Sequence, residues 1–189
     1  MFAQCAIDAN GSRTQDHTSQ IGMTLIVASL LVIVSVDGSS STRASLRHSL
    51  VTEAAAIWKS AGVAVQESPC APLDGPTREV HVVLTNDHQK RNDGERLGWI
   101  NFRADTPESV IYLSPAAALD LLDSSARLRE QPDALREQLL GRVLGRALAH
   151  ELGHYLYASK QHTRDGLMRA HWSTYALVAA ERPGLARRP

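Results

Sequence analysis

Leu144-Gly145-Arg146-Ala147-Leu148-Ala149-His150-Glu151-Leu152-Gly153-His154 is the stretch on which the reading of the whole chain turns. Leu135, Leu139, Val143, Leu144, Ala147, Leu148 and Leu152 recur at three- and four-residue spacing, which predicts one long helix with a buried side. Pro132 and Asp133 suit its first turn, proline because its missing N–H is not needed there and aspartate because it opposes the helix dipole.

On such a helix His150 and His154 stand one turn apart and project from the same face. Two imidazoles so placed can close on one tetrahedral metal ion without straining the backbone. Glu151 is rotated by about 100° from His150, outside the ligand set but within reach of a water on the metal. This is the physical content of a His-Glu-x-x-His pattern, and it calls for Zn2+. Zinc lowers the pKa of its water toward ~7. Glu151 is then the general base that takes the proton and delivers it to a leaving amine. Gly153 costs up to about 1 kcal/mol of helix propensity relative to alanine. Its use is space, either beside the metal or for a neighbouring element that packs closely.

A catalytic zinc keeps three protein ligands and one open position. His162 is the third ligand in this reading, because Ala158-Ser159-Lys160-Gln161 lets the chain leave the helix and fold back. The alternatives are His171, beside Trp172, and Glu181, beside Arg182-Pro183-Gly184. Glu181 would give the carboxylate third ligand of a gluzincin-type hydrolase.

Working toward the N-terminus, Ser114-Pro115 opens a short helix through Leu122, with serine as cap and proline at the first helical position. Ser109–Leu113, Leu97–Phe102, Glu79–Thr85 and Val63–Glu67 read as strands. Asn86–Arg96 and Pro69–Pro76 read as loops. Thr42–Ala61 is an amphipathic helix burying Leu46, Leu50, Ala54, Ile57 and Trp58, with Gly62 in the position just past its end.

Ile21–Val36 is apolar almost throughout. It is short for a membrane span of about 20 residues but suits the core of a signal peptide or an anchor, followed by small polar residues at Gly38-Ser39-Ser40-Ser41. The organisation expected is therefore a polar N-terminus and hydrophobic segment over residues 1–40, then one domain over 41–189. A start at Met23 would place the hydrophobic run at the terminus. The localisation implied is exported or membrane-anchored, with residues 21–36 as the possible tether. The competing reading is a buried β-strand, favoured by the valines and isoleucines of the second half.

The 189 residues hold 20 Lys+Arg and 20 Asp+Glu, so no excess of positive charge points to nucleic acid as a partner. Two cysteines, Cys5 and Cys70, make neither a disulfide framework nor a thiolate metal site.

His-Glu-Leu-Gly-His, a histidine shortly after it, and Asp165-Gly166-Leu167-Met168 together resemble the metzincin clan of zinc peptidases. In that clan the signature runs His-Glu-x-x-His-x-x-Gly-x-x-His, and a methionine-containing turn lies beneath the metal. The resemblance implies His150, His154 and His162 as ligands, Glu151 as general base and Met168 as the turn residue. It covers the chain loosely from about Thr42 and specifically from Ala149 to about Trp172. Tyr157 stands where the clan has glycine, and His162 comes two residues later than the pattern places it. The helix should therefore run slightly longer and the returning loop should be wider. The fold implied is α+β: a mixed, twisted sheet of about four strands with an N-terminal helix and a long active-site helix. The partner implied is a peptide or protein substrate, aligned on the sheet's edge strand, for which Ser109–Leu113 is the candidate. A zinc-stabilised binding module that does not cleave is the competing function. Glu151 argues against it, since a structural site needs no general base.

Overall fold

Val32, Val34 and Val36 sit in the core at 8% exposure or less, on strand β1 (Leu30–Asp37). In this computed structural model, residues 30–37, 44–68, 77–86, 90–91 and 94–184 are described. The chain continues through α1 (Ala44–Trp58), a single 3-10 turn at Lys59–Ala61, β2 (Val63–Glu67), β3 (Thr77–Leu84), β4 (Lys90–Arg91), β5 (Gly94–Glu95), β6 (Gly98–Arg103) and β7 (Thr106–Leu113). Four helices follow: α2 (Pro115–Asp123), α3 (Ala126–Arg129), α4 (Asp133–Tyr157) and α5 (Thr174–Val178).

The main sheet has five strands in the order β2-β1-β3-β7-β6, parallel except for the antiparallel β6 at one edge. Its register puts Val36 opposite Val82 and Val82 opposite Ile111, so one face carries a continuous row of buried branched side chains. That face packs on α1 and α4. Strand β1 is paired on both sides, and a parallel strand of this kind is apolar almost without interruption. This is a correction to the sequence reading: Leu30–Val36 belongs to the folded sheet, and the domain does not begin at Ser41. The other half of the segment read as a signal or anchor, residues 21–29, lies outside the described residues. No described helix is long and apolar enough to cross a membrane.

The sheet has one strand more than the four expected, because the second half of the apolar run Ile21–Val36 forms β1. The edge strand also differs. Ser109–Leu113 lies within β7, whose backbone is paired with β3 on one side and β6 on the other. It cannot accept a peptide strand, and of the sheet's two edge strands, β2 and β6, it is β6 that borders the cleft. The loop expected over Asn86–Arg96 contains the short ribbon β4–β5. Pro69–Pro76 lies outside the described residues.

The first helix ends as expected, with Gly62 in the left-handed region at φ 71°. Ser114 accepts a hydrogen bond from the Ala117 amide at 3.1 Å and caps α2. Helix α4 buries the predicted side apart from Leu135, which is 39% exposed in the first turn, before the helix reaches the core.

Candidate metal centre

Helix α4 is held against α1 at close range. A Cβ at Gly145 would lie 2.6 Å from Glu53 Cβ and 2.7 Å from the Leu50 carbonyl, and at Gly141 it would overlap Ser49. Only glycine allows that approach. Trp58 Nε1 donates to the Ala149 carbonyl at 3.0 Å, fixing the helix directly beside His150. One turn before His150, the guanidinium of Arg146 is fully buried. It donates to Glu53 at 3.1 Å and to the carbonyls of Ala176, Ala179 and Glu181. A buried charge is tolerable only when paired and hydrogen-bonded in this way. The same cluster, with Arg182 donating to Glu53 at 2.9 Å, ties the C-terminal segment to α4.

At the other end α4 stops at Tyr157, and Ala158 turns the chain in the left-handed region at φ 47°. The Ser159 carbonyl then accepts from His154 Nδ1 at 2.6 Å. The chain returns beneath the helix through a tight turn. Thr163 N donates to the Met168 carbonyl at 2.8 Å, Gly166 adopts φ 73°, and the Leu167 carbonyl accepts from His150 Nδ1 at 2.8 Å.

Both carbonyls can only accept, so Nδ1 of each histidine carries the proton and each neutral Nε2 presents a lone pair. These two Nε2 atoms lie 3.2 Å apart. Two lone pairs at that distance repel unless a cation sits between them. Burial opposes a proton in that role, since it pushes His150 down to about 4 and lowers His154 as well. A tetrahedral ion with metal–imidazole bonds of about 2.0–2.1 Å has ligand–ligand edges of about 3.3 Å, the spacing found here. His162 joins them, its ring centroid 5.2 Å from that of His150 and 4.9 Å from that of His154. The ligating atoms of all three lie within 4.8 Å of one another, close enough to bind one metal ion. The carbonyls behind His150 and His154 set tautomer and ring orientation, as hydrogen-bond partners behind metal-bound histidines do.

Glu151 is 8% exposed and faces β6. The Cβ position of Gly98 is 3.4 Å from its Cγ, and the Ile100 amide hydrogen-bonds its carboxylate. Burial pushes this carboxyl up to about 8, against the lowering effects of the Arg96 charge and the Ile100 amide. A carboxylate tuned toward neutral pH is matched to reversible proton transfer. His150, Glu151, His154 and His162 open on one cleft of about 510 Å3 between α4, β6 and the C-terminal segment. Its apolar part includes Leu121, Ala147 and Leu177.

Of the alternative ligands, His171 is exposed in the loop before α5 and lines the cleft but lies outside the three-histidine group. Glu181 contributes its backbone carbonyl to Arg146, and its carboxylate is not part of the group. Sequence reasoning missed Arg96 and the Ile100 amide. Arg96 closes a polar loop, and only the pairing of β6 as an edge brings either group to Glu151. No known protein family, curated protein or solved structure matches the chain.

Proposed function

We propose that the chain is a zinc-dependent peptidase of metzincin-like design, hydrolysing peptide bonds with His150, His154 and His162 as ligands and Glu151 as general base. The observation that carries this reading is the pair of Nε2 atoms 3.2 Å apart, each imidazole having its Nδ1 proton committed to a backbone carbonyl. Three neutral imidazoles are a donor set suited to zinc with one position left for water or substrate. When bound, zinc supplies Lewis acidity, lowering the pKa of a coordinated water toward ~7 and polarising a carbonyl. Glu151 stays out of the ligand set, accepts the proton of the attacking water at its carboxylate and returns it to the leaving nitrogen. Burial of Glu151 against β6 keeps bulk water from competing for that proton. The free edge of β6 offers unpaired backbone groups along the cleft to an extended peptide.

Two features add to the resemblance. Met168 packs beneath Gly153 in the turn after the third histidine. The strand bordering the cleft is an edge strand, the place the resemblance gives to the strand that aligns a peptide. The test is Glu151→Gln in the full chain. Zinc should stay bound at the wild-type stoichiometry while hydrolysis of a mixed peptide library falls at least ~100-fold, the usual scale for loss of a general base. Equal turnover by wild type and variant would refute the role of Glu151. A zinc-loaded wild type inert on every peptide would favour the non-catalytic module.

A further inference from the structure

Three cations line the cleft, and two are already engaged. Arg146 is spent on Glu53 and three carbonyls, and Lys160 donates to the Ala104 carbonyl at 2.6 Å and to Asp105 at 3.4 Å. Arg96 differs. Among the described residues it makes no ion pair, and its Nε is buried without a hydrogen-bond partner. Glu151 is the one acid lining the cleft among those residues. The charge of Arg96 reaches it, yet the two are not joined as an ion pair. Arg96 precedes Gly98 by two residues, and Gly98 abuts Glu151. Arg96 therefore lines the cleft where β6 starts, near enough for its charge to act on Glu151.

We infer that Arg96 receives a carboxylate of the substrate, so that the cleft selects peptides carrying an acid group within one or two residues of the scissile bond. This rests on the peptidase reading and specifies its substrate class. A guanidinium presents a planar fork of N–H donors that matches a carboxylate in two parallel hydrogen bonds, and a partly desolvated site strengthens them. The bound acid would satisfy the buried Nε and leave Glu151 free as base. A free C-terminus and an Asp or Glu side chain share this chemistry.

Three peptidyl hydroxamates test the inference on the zinc-loaded full chain, because they bind through the metal and need no turnover. They share one sequence and end in a free carboxylate, in a carboxamide, or in a carboxamide with a Glu side chain beside it. A carboxylate-bearing probe should bind about tenfold more tightly than the plain carboxamide. The ratio should fall to near one in Arg96→Gln and recover in part in Arg96→Lys, with unchanged thermal unfolding showing that the variants are folded. Preference for the free terminus alone assigns a carboxypeptidase-like substrate, and preference shared by the Glu probe assigns an acidic residue. Equal affinities in the wild type, or a ratio that survives Arg96→Gln, overturn the inference. Probes that bind while peptides remain uncleaved remove the peptidase reading alone, and the ratio still decides the role of Arg96. Failure of all three to bind overturns both.

Discussion

Met168 packs against α4 directly at Gly153, so closely that a Cβ at 153 would overlap its sulfur and lie 3.0 Å from its methyl carbon. The contact lies between the two histidines in sequence, and neither residue lines the cleft. It makes the glycine of His-Glu-Leu-Gly-His a packing requirement, not a source of space beside the metal.

Gly153→Ala should therefore destabilise the fold by about 1–3 kcal/mol, although alanine is the better helix former, because the core there has no room for a methyl group. Met168→Ala in the Gly153→Ala background should restore part of that loss. A double-mutant cycle in urea would show the coupling. Additive effects would mean that the two side chains do not compete for the same space.

Ala158 carries the left-handed turn that releases the chain from α4, at a backbone conformation costly for any residue with a Cβ. Ala158→Gly should stabilise the protein by about 0.5–1 kcal/mol, the relieved strain being partly offset by a more flexible unfolded chain. The urea midpoint should rise while zinc affinity holds, since Ser159 still offers its carbonyl to His154. A lower midpoint would show that the turn is not strained.

The histidines give the metal-free protein a defined response to acid. Burial is the main cause of the lowered value of about 4 at His150, with the charges of His154 and His162 adding to it and the hydrogen bond to Leu167 opposing it. Between the ordinary 6.5 and about 4, the unfolded chain binds a proton at this position and the folded one does not. Stability of the metal-free form should therefore fall as pH drops through that window, by about 3 kcal/mol from this group. Urea denaturation between pH 7 and pH 4 measures it, with His150→Gln flattening the profile. A wild-type profile no steeper than that of the variant would contradict the assignment.

The site was largely legible in the sequence because its spacing is local. One turn of helix brings His150 and His154 together, and the returning loop brings His162 within eight residues of His154. The same holds for Gly62 and Ser114, whose cap roles depend on neighbours alone. What the sequence hid is non-local. A fully buried parallel strand and the core of a signal peptide are both short, unbroken apolar runs, so Leu30–Val36 carries no mark that separates them. Likewise Gly98–Arg103 and Thr106–Leu113 are both strand-like, and only the pairing of β7 with β3 decides which becomes the edge. Where α4 ends is likewise hidden: Tyr157 is still helical, and Ala158, with no glycine to mark the position, makes the left-handed turn.

Zinc titration against a chromophoric chelator shows whether the three imidazoles hold a single metal ion. The full chain should bind one equivalent of zinc. His154→Ala, which removes a ligand that is only 6% exposed, should abolish tight binding. His162→Ala should weaken binding by a smaller but clear factor. Absence of zinc binding by the wild type, or binding that survives His154→Ala undiminished, would contradict a shared site.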